Sequence, residues 1–84
     1  GSSGNDRVAI GFELGRSATV SVKIFNRAGR LVRQLNPGQT LNAGANLVWW
    51  DGREAGGTPV PSGLYVVSVD ALGERSTGTV AVVE

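Results

Sequence analysis

The segment from Trp49 to Tyr65 places the strongest constraint on how this chain can fold. It begins with two tryptophans that end an apolar run, passes through Asp51-Gly52, and contains two prolines before the apolar run restarts at Leu64. Gly tolerates positive φ without steric cost, whereas Pro fixes φ and removes a backbone donor. Neither a helix interior nor a central strand accommodates this composition. The segment therefore predicts two strands joined by a rigid corner.

The composition limits the chemistry that the chain can perform. It has 84 residues, a formal net charge of +1, and neither cysteine nor histidine. One small domain is expected from this length. Without thiols or imidazoles there is no disulfide, no thiol nucleophile, and neither the commonest general base nor the commonest metal ligand. We therefore predict no enzyme activity, no catalytic residue, no cofactor and no metal site.

The charge and hydropathy patterns bear on partners. The eight basic residues are scattered singly along the chain, and no apolar run approaches the ~20 residues that span a bilayer. We therefore predict neither nucleic acid nor membrane as a partner. Gly1-Ser2-Ser3-Gly4 is typical of a cloning scar. Residues 1–6 are accordingly expected to be scar and linker, with residues 7–84 forming a single domain and any export signal of the parent protein lying outside the chain.

Strict alternation of apolar and polar residues indicates half-buried strands rather than helices. A four-residue turn is predicted at 26–29, and a loop that opens with Pro-Gly is predicted at 36–44. A short edge segment near 58–60 is a candidate for a seventh strand. The turn spacing is typical of an antiparallel sandwich. Strands are predicted at 8–14, 18–25, about 31–35, 45–50, 64–71 and about 76–83.

The chain resembles a known module in a series of motifs that occur in order from residue 7 to the end. It resembles the immunoglobulin-like domain first defined in the flagellar hook-capping protein, the FlgD-type Ig-like domain. The most specific part is Trp50-Asp51-Gly52-Arg53 followed by Gly57 and by the Val60 to Tyr65 corner. The other motifs are Ile10-x-Phe12-x-Leu14, Val20-x-Val22-x-Ile24-Phe25-Asn26, Gly29-Arg30-Leu31-Val32-Arg33 and Gly44.

The resemblance implies an all-β, antiparallel, seven-stranded immunoglobulin-like sandwich related to fibronectin type III domains. In that family the module usually sits near the C-terminus of large exported bacterial proteins and carries no catalytic residues. The resemblance therefore implies a non-catalytic accessory module, extracellular or at the bacterial cell surface, rather than the flagellar protein itself. Its expected partner is a neighbouring domain of the parent protein or another cell-surface protein, and we expect a monomer in isolation.

Two alternative functions stay open at this point. The first is a carbohydrate-binding module that holds a polysaccharide on Trp49 and Phe25. The second is a C-terminal sorting domain of the type IX secretion systems, a family that shares the strand pattern and the Gly-x-Tyr corner. That family commonly lacks Trp-Asp-Gly and ends in a basic-apolar strand, whereas residues 78–84 contain no lysine.

The two tryptophans are predicted to lie on opposite faces of one strand, because side chains alternate along a strand. Trp50 shares the face of Val48 and is expected to anchor the core. Trp49 then faces outward, where it either stacks on a sugar or a neighbouring domain, or is covered by an arginine stem through a cation–π contact.

The remaining candidates are interpreted mainly as structural. Trp50, Asp51, Gly52, Gly63 and Tyr65 are expected to form the corner, with Tyr65 bonding backbone. Asp51 is expected to accept a backbone N–H in an Asx-turn. With Glu54, and with Asn5 and Asp6 elsewhere, it offers oxygen ligands for calcium, but the spacing matches no EF-hand loop. Lys23, the only lysine, lies on an outward register, which argues against a Lys–Asn isopeptide bond inside the core.

Overall fold

A computed structural model describes residues 7–83, except for the side chains of residues 36 and 37, as two antiparallel sheets. One sheet has the order β1-β4 and the other β3-β2-β5-β6. The predicted all-β, antiparallel, immunoglobulin-like sandwich is confirmed. No helix among these residues is long and apolar enough to cross a membrane. The six strands are β1 (Val8–Leu14), β2 (Ala18–Phe25), β3 (Leu31–Leu41), β4 (Gly44–Trp50), β5 (Gly63–Ala71) and β6 (Glu74–Val82).

The core lies between the two sheets and is built from alternate residues of the strands. On β2 the fully buried side chains are Val20, Val22 and Ile24, each separated by one residue that points the other way. The register joins Trp50 to Val8 and Val48 to Ile10 across β1 and β4. The predicted turn at 26–29 is closed by a 2.9 Å bond from the amide of Gly29 to the carbonyl of Asn26. The other core residues are Leu14, Val60, Tyr65, Val67 and Val82.

The third strand is longer than the sequence predicts, so the predicted loop at 36–44 is wrong. The pairing of β3 with β2 places Leu35 opposite Val22 and Gln39 opposite Val20. Residues 36–38 therefore stand opposite the single residue Ser21, which makes the Pro-Gly pair a bulge inside the strand. The sheet tolerates a proline there because β3 is an edge strand.

The segment that was a candidate seventh strand contributes only one bridge, between Arg53 and Pro59. It lies within the connection from β4 to β5. The bounds of the other strands differ from the prediction by at most two residues. Six strands and this bridge therefore make up the sandwich within residues 7–83.

The hairpin between β5 and β6 contains a strained residue. Ala71 pairs with Glu74, so Leu72 and Gly73 form a two-residue loop. Their φ values are 56° and 75°, which match a type I′ turn. Glycine adopts this conformation freely, whereas a leucine in the left-handed region costs roughly 1–2 kcal/mol of folding free energy.

We expect Leu72→Asn to stabilise the domain by roughly 0.5–1 kcal/mol, because asparagine tolerates the left-handed conformation that leucine does not. Urea denaturation measures the change. Leu72→Ala is the matched control, since it removes the half-exposed side chain and keeps the backbone strain. If Leu72→Ala stabilises as much as Leu72→Asn, backbone strain at this position is not the cause.

Candidate functional site

The corner after β4 is organised around Trp50 and Tyr65. Trp50 is fully buried, and its ring meets that of Tyr65 edge to face, with centroids 5.5 Å apart and an interplanar angle of 71°. The indole Nε1 of Trp50 donates a 2.9 Å hydrogen bond to the carbonyl of Arg53. The hydroxyl of Tyr65 donates a 2.6 Å bond to the carbonyl of Pro61. Both rings therefore bury apolar surface while their polar atoms are hydrogen-bonded.

Asp51 and Gly52 shape the turn that leaves β4. The carboxylate Oδ1 of Asp51 accepts the backbone amide of Arg53 at 3.0 Å, which is an Asx-turn. The same oxygen accepts Arg33 Nη1 at 3.1 Å, and Arg33 Nη1 also donates to the carbonyl of Arg53 at 3.0 Å. Gly52 is buried with φ of 75°, and its carbonyl accepts the amide of Val60 at 2.9 Å. The carboxylate of Asp51 is thus engaged in holding the loop.

The rest of the loop is held by backbone hydrogen bonds within the loop and by one to β3. The amide of Glu54 donates to the carbonyl of Thr58 at 2.9 Å, and that of Gly57 to Glu54 at 2.8 Å. The amide of Ala55 donates to the carbonyl of Val32 at 3.2 Å, which attaches the loop to β3. Gly63 then opens β5, where it pairs with Val82. These hydrogen bonds hold the connection from β4 to β5 in place, and they act as structural contacts.

The candidate calcium ligands are not gathered into a site. Within residues 7–83 no group of three or more Asp, Glu, His or Cys side chains is placed to hold a metal. Asn5 and Asp6 lie outside the described residues. Lys23 is on the outer side of β2, where its Nζ lies 4.0 Å from Asp70 Oδ2. Asp70 Oδ1 also accepts Arg75 Nε at 2.7 Å. Lys23 therefore belongs to a surface ion cluster.

Trp49 belongs to an exposed apolar surface on the outer side of the β1–β4 sheet. Trp49 is 52% exposed and Leu47 is 57% exposed, and both point away from the core. Their partners across the sheet are the small residues Ala9 and Gly11. We call Ala9, Gly11, Leu47 and Trp49 the outer β1–β4 face. The guanidinium carbon of Arg7 lies 5.3 Å from the centroid of the Trp49 ring, within the range of a cation–π contact.

The structure does not bring Phe25 to this face. Phe25 is half-buried and follows the buried Ile24, so it points to the outer side of the four-stranded sheet. Trp49 points outward from the opposite sheet. A sugar therefore cannot stack on both rings at once. Leu47, which the sequence interpretation did not single out, is the residue that joins Trp49; its position two residues earlier on the same strand was the available signal.

Two packed antiparallel sheets and a tyrosine-bonded corner define an immunoglobulin-like β-sandwich. The chain belongs to the FlgD Ig-like domain family, whose match covers residues 2–80. The predicted FlgD-type resemblance is thereby confirmed, and the family assignment supports the prediction that the domain is not an enzyme.

Individual relatives agree with this assignment. The basal-body rod modification proteins FlgD of Salmonella typhimurium (strain LT2) and of Salmonella typhi are each 40% identical to the chain over 63 residues, covering 74% of the chain and 27% of the relative. The crystal structure of FlgD from P. aeruginosa superimposes with a TM-score of 0.68 at 22% identity, covering 93% of this chain and 62% of that one. At that identity the likeness shows the fold. The chain thus spans about a quarter of the length of the curated relatives that it matches.

These relatives correct the expected location. The predicted location, extracellular or at the bacterial cell surface, is wrong. The relatives are named for the basal-body rod, which associates the family with the flagellar basal body. The error arose because a fold shared by many exported proteins carries no information about where one member acts.

Proposed function

We propose that this chain is a non-catalytic structural domain of a longer protein of the basal-body rod modification type, and that it docks another protein domain through the outer β1–β4 face. The observation that carries the proposal is the joint exposure of Trp49 and Leu47 on one side of a two-stranded sheet. Large exposed apolar side chains in a contiguous patch mark interaction surfaces. The family assignment supports a protein partner.

The chemistry around Trp49 favours an apolar protein surface over a sugar. A sugar site combines a stacking ring with side chains that hydrogen-bond the hydroxyl groups. The outward residues of β1 and β4 near Trp49 are Ala9, Gly11 and Leu47, and Glu13 lies at the far end of β1. The polar side chain beside the ring is that of Arg7, which covers a face of the ring that a sugar would need for stacking. A tryptophan flanked by small and aliphatic residues suits the dry centre of a protein interface.

The shape of the face also suits a protein partner. A Cβ added to Gly11 would lie 3.8 Å from Leu47 Cδ1, in ordinary van der Waals contact, so the Leu47 side chain lies next to Gly11 on the outer face. Gly11 and Ala9 leave a shallow floor beside the two large side chains. Arg7, stacked on Trp49, adds the other residue type that is enriched at energetic centres of interfaces.

The proposal is tested in a chimera in which this chain replaces the matched segment of the Salmonella typhimurium relative. We expect the chimera to restore swimming to cells that lack their own copy. Leu47→Ala with Trp49→Ala should impair swimming, because loss of a tryptophan at an interface centre weakens binding by roughly 30-fold or more. Both chimeras are compared for expression and for the melting temperature of the isolated domain.

Thr40→Ala, on the exposed edge strand β3 of the other sheet, is the matched control and should swim like the unaltered chimera. Equal swimming by the Leu47/Trp49 variant would contradict the assigned face. Failure of the unaltered chimera to swim, although folded, would contradict the assigned function. Glycan binding that disappears with Trp49→Ala would replace the proposal by the carbohydrate-binding alternative.

A further inference from the structure

A cleft lies between the turn that precedes β3 and the loop that joins β4 to β5. We call it the turn–corner cleft; it has a volume of about 460 Å³. Its lining includes the apolar side chains of Leu31, Val32 and Val60 and two ionisable residues, Arg30 and Glu54. The cleft is a different surface from the outer β1–β4 face, and the proposed function does not use it.

Each of the two ionisable residues belongs to a hydrogen-bonded turn. The side-chain Oδ1 of Asn26 accepts the backbone amides of Ala28 and Arg30, both at 2.9 Å. The amide of Asn26 in turn donates to the carbonyl of Arg30 at 2.9 Å. In the other wall, the amide of Glu54 donates to the carbonyl of Thr58 at 2.9 Å. The backbones that carry the two charges are therefore held in place, which lowers the ordering cost of binding.

The cleft also offers apolar surface to an occupant. Val60 is buried and Val32 is half-buried, whereas Leu31 is 48% exposed. The amide of Ala55 donates to the carbonyl of Val32 at 3.2 Å, which joins the two walls. An aliphatic side chain that covers Leu31 would remove apolar surface from water, which favours binding in proportion to the area covered.

The charges of Arg30 and Glu54 are left unused by the described part of the chain. Neither side chain makes an ion pair or a side-chain hydrogen bond there. Their neighbours differ, because Arg33 is paired with Asp51 and Arg53 Nη1 donates to a loop carbonyl. One cation and one anion therefore stand ready beside the same apolar lining. Their partner must carry both charges in complementary positions.

The size of the cleft limits how much of a partner it holds. Its volume is about three times that of an engineered cavity of about 150 Å³ that takes benzene, so it has room for roughly three side chains. One carboxylate for Arg30, one cation for Glu54 and one aliphatic side chain for Leu31 fill this number. Three neighbouring residues of a polypeptide supply them.

We propose that the turn–corner cleft binds a segment of a partner protein in which an acidic, an aliphatic and a basic residue follow one another. The acidic side chain accepts hydrogen bonds from the guanidinium of Arg30, a pairing that has a preferred planar geometry. The basic side chain pairs with Glu54, and the aliphatic side chain covers Leu31. The apolar contact supplies affinity, and the two charge pairs supply selectivity.

The test uses the whole chain and a set of blocked peptides. The first is acetyl-Ser-Asp-Leu-Lys-Ser-amide, and NMR follows the backbone amides of the isotope-labelled chain while it is added. We expect shifts at residues 30–32 and 54–56. The peptides Ser-Asn-Leu-Gln-Ser and Ser-Lys-Leu-Lys-Ser, with the same blocked ends, should each bind roughly threefold more weakly or worse, because they lose one or both exposed charge pairs. Added salt should reduce these differences.

Arg30→Glu makes both charges of the cleft negative and should reverse the preference, so that Ser-Lys-Leu-Lys-Ser binds more tightly than Ser-Asp-Leu-Lys-Ser. A variant that merely loses structure would weaken the binding of both peptides alike. Arg27→Gln is the matched control, because Arg27 lies in the same turn but outside the cleft lining. It should bind all three peptides like the unaltered chain.

Three results would overturn the proposal. The first is the absence of shifts at residues 30–32 and 54–56 at millimolar peptide. The second is equal binding of the charged and uncharged peptides by the unaltered chain, or a preference that Arg30→Glu leaves unchanged. The third is a shift of the same amides when the chain is concentrated without peptide, since a second copy would then be the occupant.

Discussion

Trp50→Ala should lower the free energy of unfolding by roughly 3–5 kcal/mol, one of the two largest effects expected of a single side chain here. The substitution empties the centre of the core, removes the edge-to-face contact with Tyr65, and leaves the carbonyl of Arg53 without its indole donor. Small domains have total stabilities of about 5–15 kcal/mol, so the variant is expected to lose a large fraction of its stability. Urea denaturation followed by circular dichroism measures the change.

Trp49→Ala is the matched control, because it deletes the same side chain one residue earlier on the same strand. It should cost about 1 kcal/mol or less, since the ring is 52% exposed. Similar destabilisation by the two substitutions would mean that both rings are buried. The register of β4 would then be wrong.

Tyr65→Ala should destabilise the domain by roughly 3–5 kcal/mol, as expected for removal of a large buried ring. Tyr65 is almost fully buried, and it packs on Trp50. Tyr65→Phe isolates the hydroxyl, which donates to the carbonyl of Pro61. This second variant should cost about 1–2 kcal/mol, because the ring stays and only the hydrogen bond is lost. The same denaturation experiment measures both.

The difference between the two Tyr65 variants distinguishes the packing of the ring from the bond that closes the corner. If Tyr65→Phe is as stable as the unaltered chain, the hydroxyl does not hold Pro61 in solution. If Tyr65→Phe costs as much as Tyr65→Ala, the hydroxyl rather than the ring dominates.

Local alternation explains why most of the fold was predictable. The runs at 8–14 and 18–25 show a period of two, and β1 and β2 have those bounds. The end of β3 was not predictable, because Pro37-Gly38 carries the local chemistry of a turn. Beyond this pair the strand continues, with Gln39 opposite Val20 of β2. The sequence of β3 alone does not show this pairing.

The candidate functional site was also predictable where it depends on alternation within one strand, and not where it depends on contacts between strands. Alternation along β4 is enough to assign Trp49 and Trp50 to opposite faces. The hydrogen bond from Arg33 to Asp51 is not predictable from the sequence, because the two residues are 18 positions apart and lie on β3 and directly after β4, strands of different sheets.

Site-specific photo-crosslinking shows whether Trp49 lies at the centre of a protein-docking face. A photoreactive phenylalanine analogue replaces Trp49 in the Salmonella typhimurium chimera, or replaces the exposed Thr40 of β3 as the control, and mass spectrometry identifies the crosslinked peptide. We expect crosslinks from position 49 to one defined segment of the chimera or of another basal-body protein, and none to that segment from position 40. Equal crosslinking from both positions, or none from position 49 in swimming cells, would contradict it.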